Sequence, residues 1–457
     1  MIRIAPALLR RYNLPSPRYT SYPTVMHWER SPTQSQWFEH LAAALERDTA
    51  HAGCSLYIHI PFCQTLCTFC GCNMRLARNH ALAAPYVTSL LQEFSLWRSQ
   101  LGRPRLALGE IYLGGGTPTY LPAEELARLL DGVLEHADAT RTAQFSIEID
   151  PRNTTRAQLQ VLRERGFRRL VLGVQDFDPR VQDIVNRVHG ETQVTRVFDE
   201  ARELGFTDIA ADLIYGLPLQ TTDSIRTTMA AMARLKPERV ACFPYASVPW
   251  VKPSQRRFTE ADLPEGDARL ELFTSARERL ADMGYEEIGL DQYVLAGSEL
   301  ALASRDGRLH RNFMGYSANA TASVIGLGVS AMSDAGTALV QNEKGLTAWE
   351  TRLSSGELPT QRGHLLDAED RRLRQHISNL LTRYATHWVD ADAGAPWRTE
   401  VVPRLAVLQG DGLIRADAQG LAVTELGRPF LRNICMAFDA RAHRRIATTQ
   451  AAGSHAS

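Results

Sequence analysis

From about residue 55 to about residue 290, short apolar runs alternate with amphipathic stretches of roughly 10 to 20 residues, the pattern of repeated βα units around a parallel sheet. The apolar runs predict strands over Leu56 to Ile60, Glu110 to Leu113, Gln144 to Asp150, Arg169 to Gln175, Ile209 to Tyr215, Arg239 to Pro244 and Glu286 to Leu290. Between them, helical periodicity covers Ala84 to Leu101, Ala123 to Glu135, Gln158 to Arg165, Gln193 to Leu204 and Asp223 to Leu235. The expected fold is therefore α/β, a partial or complete parallel βα barrel spanning residues 51–340 behind an amino-terminal segment, 1–50. After about residue 340 the pattern changes. Leu366 to Tyr384 reads as a charged amphipathic helix, and Gly412 to Thr424 as a hairpin turning at Asp417-Ala-Gln-Gly420 before a last helix. Residues 341–457 thus predict a small, mainly helical α+β domain of winged-helix-like form.

Parallel barrels carry their chemistry on the loops after the carboxyl ends of the strands. The unusual residues here fall there: a cysteine cluster, Gly114-Gly-Gly116, and Asp150-Pro151. Charge narrows the partners. Lys plus Arg and Asp plus Glu each total 51, so no global positive field draws the chain to nucleic acid. No apolar stretch is long enough to span a bilayer and no secretory leader is evident, which predicts a cytoplasmic protein without a membrane partner. The first acidic residue is Glu29, as in some organellar leaders, but Pro15, Pro17 and Pro23 oppose the helix such a leader needs. Seven cysteines, four of them at 63, 67, 70 and 72, make a poor disulfide framework and point to a reducing compartment and a metal.

In Cys63-Gln-Thr-Leu-Cys67-Thr-Phe-Cys70, three thiols share one short loop, and thiolates are the ligands that iron–sulfur clusters require. Three ligands for four irons leave one iron open to chelate a small molecule. The alternative is a structural zinc site made from His59 and the same cysteines. Glu110-Ile-Tyr-Leu-Gly-Gly-Gly-Thr-Pro118 is a strand running into glycines, where backbone approaches a ligand closely or merely turns. In Phe145-Ser-Ile-Glu-Ile-Asp150, strand alternation sends Ser146, Glu148 and Asp150 to one face. A carboxylate facing the barrel needs a partner, since burying it unpaired is costly. Gln175 at a strand end and Asp212 inside an apolar strand extend this polar row, each a satisfied structural group alone but a ligand pocket together.

The C-x3-C-x2-C spacing directly after a first barrel strand resembles the radical S-adenosylmethionine superfamily. In it the open iron of a [4Fe–4S] cluster binds S-adenosylmethionine, and one electron releases a 5′-deoxyadenosyl radical. Further strings narrow the likeness: Ser16-Pro-Arg-Tyr-Thr-Ser-Tyr-Pro23, Leu56-Tyr-Ile-His-Ile-Pro-Phe-Cys63, Cys70-Gly-Cys-Asn73, Gly114-Gly-Gly-Thr-Pro-Thr-Tyr120, Leu172-Gly-Val-Gln-Asp-Phe177, Asp212-Leu-Ile-Tyr-Gly-Leu-Pro218, His310-Arg-Asn-Phe313 and Arg432-Asn-Ile-Cys-Met436. From about residue 8 to 440 the chain resembles the oxygen-independent coproporphyrinogen III oxidases, also called dehydrogenases. That resemblance implies an oxidoreductase of porphyrin and haem biosynthesis, which decarboxylates two propionates of coproporphyrinogen III to vinyls and yields protoporphyrinogen IX. It implies cluster ligation by Cys63, Cys67 and Cys70. It also implies contact of Tyr57, Gly115, Glu148 and Met332 with the cluster-bound S-adenosylmethionine, and of Phe69, Gly116, Thr117, Gln175, Arg187, Asp212 and Ala246 with a second. No acid–base catalytic pair is implied. Cys72 matches a family cysteine that is not a ligand, and residues 1–50 would cover the substrate. A monomer served by a low-potential donor of flavodoxin or ferredoxin type is expected.

Several positions depart from the family's text: Met314 where Gln is usual, Gln292 in place of His after Asp291, and Pro244-Tyr-Ala-Ser247 in place of Asn-Tyr-Ala-His. These exchanges remove an amide and two imidazoles, so a paralogue acting on another tetrapyrrole, or a haem-binding chaperone on the same scaffold, is the alternative. Arg18 is a candidate partner for a substrate propionate, since guanidinium matches carboxylate. Cys54, Cys242 and Cys435 stand singly in apolar text and read as small hydrophobes.

Overall fold

The structure is a computed structural model and describes residues 4–12, 17–48 and 52–445. Ser16 of the Arg-Tyr-Thr motif and Pro15 lie outside the described residues. Twelve strands form one sheet: β1 Cys54–Ile60, β2 Leu106–Gly115, β3 Ala137–Ile149, β4 Arg169–Gln175, β5 Asp208–Tyr215, β6 Arg239–Pro244, β7 Tyr285–Ile288, β8 Gln292–Leu295, β9 Val324–Leu327, β10 Met332–Asp334, β11 Ala338–Asn342 and β12 Thr360–Leu365. Their order is β12-β11-β10-β9-β1-β2-β3-β4-β5-β6-β8-β7. From β9 through β1 to β6 the neighbours run parallel, and the strands outside that block pair antiparallel. The result is an open, partial βα barrel.

Two edges depart from the sequence pattern for clear reasons. Residues 285–288 do not form a seventh parallel βα strand, because the chain turns back at once: Gly289 and Asp291 both take positive φ, 53° and 59°. Parallel pairing needs a crossover of a dozen or more residues, so β7 and β8 form an antiparallel hairpin at the edge. The place beside β1 goes instead to β9, a fully buried four-residue run too short to show periodicity. It brings β10 to β12 with it as an antiparallel extension.

The helices Ala83–Leu101, Ala123–Leu134, Arg156–Glu164, Glu191–Glu203 and Thr222–Leu235 follow successive parallel strands and turn apolar stripes onto the sheet, burying for example Leu90, Phe94, Leu129, Leu162, Phe198 and Met232. No described helix is long and apolar enough to cross a membrane. A second apolar cluster joins distant parts of the chain: Tyr19 and Tyr22 pack with Leu373, Ile377, Trp397, Leu431 and Phe438. It contains the expected hairpin, Ile414–Ala416 antiparallel to Gly420–Val423, with Asp417 Oδ1 accepting from the Gln419 and Gly420 N–H groups at the turn. The amino-terminal segment is thereby held against the carboxyl-terminal helices.

A polar latch reinforces that join. His364 Nδ1 accepts the backbone N–H of Glu29 at 3.1 Å, and its Nε2–H donates to Asp370 Oδ2 at 3.0 Å. Arg441 grips the same carboxylate through Nε at 2.6 Å and Nη2 at 2.9 Å. Although burial opposes it, His364 and Arg441 hold the Asp370 carboxyl down at about 2. A depressed carboxyl stabilises the fold above its unfolded value, near 3.8, and loses that contribution as pH falls through about 2. Asp370→Asn is therefore expected to lower the urea midpoint at neutral pH, with the gap to wild type narrowing between about pH 4 and pH 2. A constant gap over that range would count against the latch.

Candidate functional site

The parallel strands end around one cavity of about 710 Å³. Its walls include the cysteine loop, Tyr112, Gly115 to Thr117, Glu148, Asp150, Arg152, Gln175, Arg187, Asp212, Phe243 and Arg18. β1 delivers the loop. Beyond it, Phe62–Cys63 pairs with Arg75–Leu76, so the chain between them forms a closed excursion that carries Cys67 and Cys70. Cys63 Sγ lies 3.4 Å from the Thr117 hydroxyl, and burial pushes its thiol up to about 12. Bonds from Cys72, whose backbone N–H reaches Cys70 Sγ at 3.4 Å, hold the Cys70 thiol below its usual range although burial opposes it. Two guanidiniums aim at Cys67 Sγ, Arg152 Nη2 at 3.6 Å and Arg187 Nη1 at 3.5 Å.

Asp150 fixes both guanidiniums, meeting Arg152 at 2.7 Å and Arg187 at 3.1 Å. Although burial opposes it, this pairing holds the Asp150 carboxyl far below the usual carboxylate range. The arrangement suits a sulfur-ligated centre that carries negative charge. His59 is already engaged, Nδ1 with the Tyr57 hydroxyl and Nε2 with the Asn73 carbonyl, both at 2.9 Å. That commitment removes the fourth ligand a zinc site would take from this loop. Among the described residues, no three His, Cys, Asp or Glu side chains gather as ligands of one metal ion.

The glycine run leaves room where side chains would fill it. Gly115 has φ of 118°, and a Cβ there would stand 2.7 Å from the His59 ring. On Gly116 a Cβ would meet the Pro61 carbonyl oxygen at 2.7 Å and Cys63 Sγ at 3.0 Å. Gly116→Ala is expected to displace the cysteine loop and cut the iron retained per chain after anaerobic reconstitution by half or more, with the circular dichroism of the fold kept. Full iron retention in that variant would show that the close approach is dispensable.

Glu148, on β3, accepts from the Tyr112 hydroxyl at 2.9 Å and the Gly115 N–H at 3.2 Å, and burial still raises its pKa. Gln175, at the end of β4, adopts φ of 71°, a left-handed conformation rare for a residue with a Cβ, and its buried Oε1 has no hydrogen-bond partner among the described residues. Asp212 lines the same wall, and its carboxylate makes no hydrogen bond among the described residues. Burial, then the charge of Glu148, pushes its carboxyl up to about 7. Strain, an orphaned acceptor and a disfavoured carboxylate on adjacent strands mark a place that a polar ligand completes.

Of the residues singled out in the sequence, Cys63, Cys67, Cys70, Phe69, Gly115, Gly116, Thr117, Glu148, Gln175, Arg187, Asp212 and Ala246 line this cavity. Tyr57 lies behind the wall, stacked on Tyr112 with ring centroids 6.2 Å apart. Met332, on β10 two strands from β1, is not among the lining residues. The substituted positions Pro244, Gln292 and Met314 do line it.

Apart from Arg18 and Arg187, sequence reasoning missed the cations gathered on and behind the cavity wall. Arg311 Nη1 and Nη2 bond the backbone carbonyls of Tyr19 and Arg18 and seat the amino-terminal segment on the cavity. Arg432 pairs with Asp291, while Arg169 and Arg239 pair with Asp208. Arg18 alone of these cations has only an aromatic face, its guanidinium carbon 5.0 Å from the Phe243 ring centroid. Burial within the cavity, then the Arg432 charge, lowers its pKa, so the cation sits where a carboxylate would relieve it. The signal that could have found Arg311 was its place in His310-Arg-Asn-Phe313, but its partners are backbone atoms far away in sequence.

The sequence profile of the Radical SAM superfamily matches residues 57–232. Over 441 residues, 94% of this chain and 95% of the relative, the chain is 38% identical to the oxygen-independent coproporphyrinogen III oxidase of Pseudomonas aeruginosa. It is likewise 38% identical over 438 residues to that of Escherichia coli, covering 95% of this chain and 94% of the relative. Among solved structures, coproporphyrinogen III oxidase (HemN) from Escherichia coli, a radical SAM enzyme, superposes with a TM-score of 0.88 at 36% identity, covering 96% of this chain and 99% of that one.

Proposed function

The chain belongs to the oxygen-independent coproporphyrinogen III oxidase family, and we propose that its cavity oxidatively decarboxylates two propionates of coproporphyrinogen III to vinyl groups, giving protoporphyrinogen IX. It is a radical S-adenosylmethionine oxidoreductase with a [4Fe–4S] cluster. The observation that carries the reading is the convergence on one cavity of three loop thiols, a guanidinium pair aimed at one of them, and polar side chains on adjacent strands that lack hydrogen-bond partners among the described residues.

The donor set fits that group. Cys63, Cys67 and Cys70 would ligate three irons and leave the fourth open. When bound, the cluster supplies the electron that lets S-adenosylmethionine furnish a carbon radical able to take hydrogen from a propionate β-carbon. The chain's own part is position, charge and the exclusion of water. Arg152 and Arg187, held by Asp150, offset negative charge at the Cys67 sulfur. Tyr57, Gly115, Glu148 and Met332 would hold the S-adenosylmethionine on the cluster, with Glu148 as the acceptor for its hydroxyl or ammonium groups. Phe69, Gly116, Thr117, Gln175, Arg187, Asp212 and Ala246 would hold a second molecule, and the orphaned Gln175 Oε1 and unbonded Asp212 supply its acceptors. Arg18 would receive a substrate propionate, with residues 1–50 as a substrate-covering segment over a barrel domain of 51–340 and a carboxyl-terminal domain of 341–457. We take the working unit to be a monomer, fed by a flavodoxin- or ferredoxin-type donor. A reducing cytoplasmic setting suits its seven free thiols.

The test is product stoichiometry under anaerobic reduction. Protoporphyrinogen IX should form with about two 5′-deoxyadenosines and two carbon dioxides per molecule, as two propionates require. Release of 5′-deoxyadenosine without protoporphyrinogen IX would assign the chain a different tetrapyrrole, and neither product from iron-replete protein would overturn the reading.

A further inference from the structure

The face around the cysteine loop carries positive charge that the chain leaves unpaired. Lys252 Nζ donates to the Cys72 carbonyl at 2.9 Å, and the Cys72 N–H donates to Cys70 Sγ at 3.4 Å, so this ammonium is two hydrogen bonds from a cluster cysteine. Lys344 is exposed, and its backbone carbonyl accepts from Asn73 on the same loop at 3.3 Å. Lys252 and Lys344 thus meet the adjacent loop residues Cys72 and Asn73. Arg75 is exposed on the strand that pairs with Phe62–Cys63.

Among the described residues none of these cations has a carboxylate partner. The nearest acidic residue in sequence, Glu343, is turned onto Arg352 at 3.5 Å. A chain of zero net charge has concentrated free cations here. Beside Lys252 stand two uncovered apolar residues, Trp250 at 73% and Val251 at 62% exposure, and Leu76 next to Arg75 is 46% exposed. Gly71 and Cys72 line the cavity beside Cys70, and the Cys72 carbonyl that Lys252 reaches joins this face to the loop. Aromatic and apolar groups inside a charged rim describe a transient protein interface, and free cations steer an acidic partner to it.

We propose that this face, centred on Lys252, Lys344 and Trp250, is the docking surface for an acidic one-electron carrier protein that reduces the cluster through the Cys70 to Cys72 loop. The inference rests on the cluster reading above. Each encounter moves one electron from the reduced carrier to the oxidised cluster, and the carrier leaves oxidised by one electron; no bond or proton is exchanged.

The experiment uses the iron-replete enzyme and a reduced acidic flavodoxin, with dithionite as the small-molecule alternative. Lys344→Glu should slow cluster reduction by flavodoxin about tenfold at low salt, with the difference closing as ionic strength rises. Turnover driven by dithionite should be unchanged. Independently of activity, flavodoxin should protect Lys252 and Lys344 from reductive methylation, and a DNA duplex of matched charge should not. Equal flavodoxin rates for wild type and Lys344→Glu across the salt series, or equal protection by DNA, would overturn the docking surface. A wild type inactive even with dithionite would overturn the cluster reading instead, and the methylation pattern would still decide the docking question.

Discussion

Replacing Cys67 by serine is expected to abolish protoporphyrinogen formation and S-adenosylmethionine cleavage together, each by at least about a thousandfold. A serine hydroxyl is a poor ligand for iron that prefers thiolate, and the loss reaches past one bond. The two guanidiniums aimed at Cys67 Sγ are held in place by the buried Asp150. With no sulfur-bound negative charge before them, Arg152 and Arg187 would repel each other over a single carboxylate, and the loop between Cys63 and Cys70 would lose its anchor. Iron and acid-labile sulfide per chain, measured beside turnover, check this. Retained iron with lost cleavage would shift the role of Cys67 from ligation to charge placement.

The second large effect is expected at Arg18. It faces the cavity with no carboxylate partner and is kept in place by its stack on Phe243 and by Arg311 gripping its own carbonyl. A charge-assisted pair with a propionate is worth about 1.5–3 kcal/mol. Arg18→Ala should therefore raise KM for coproporphyrinogen III roughly 10- to 100-fold, since 1.4 kcal/mol is a factor of ten. 5′-Deoxyadenosine should still be released, now uncoupled from product. Arg18→Lys should recover only part of the loss, because an ammonium does not reproduce the two-pronged fit of a guanidinium to a carboxylate. Unchanged KM in Arg18→Ala would move the propionate contact to another wall of the cavity.

Much of this architecture could be read from residue pattern. The runs Arg169 to Gln175 and Arg239 to Pro244 predict strands with the bounds found, because each is a short apolar segment closed by a polar or proline residue. The cysteine loop, the glycine run and Glu148 could also be read, since local spacing and strand alternation determine where they point. What escaped depends on long-range partners. β9 has four residues, one of them glycine, and becomes parallel to β1 only because β1 offers an open edge. The true ends of β7 depend on Gly289 and Asp291 adopting positive φ, which no periodicity reveals. Arg152 stood next to the conspicuous Asp150-Pro151, yet its role appears only once the turn after β3 folds it back onto Asp150 and Cys67. Met332 came from resemblance alone, and it lies on β10, outside the residues that line the cavity.

The proposed chemistry requires a cluster with one iron left free for S-adenosylmethionine. The most direct measurement is electron paramagnetic resonance of the anaerobically reduced protein, with metal analysis of the same sample, before and after S-adenosylmethionine is added. About four irons per chain are expected, with a reduced-cluster signal whose shape changes on addition. Zinc in place of iron, or a cluster signal indifferent to S-adenosylmethionine, would contradict it.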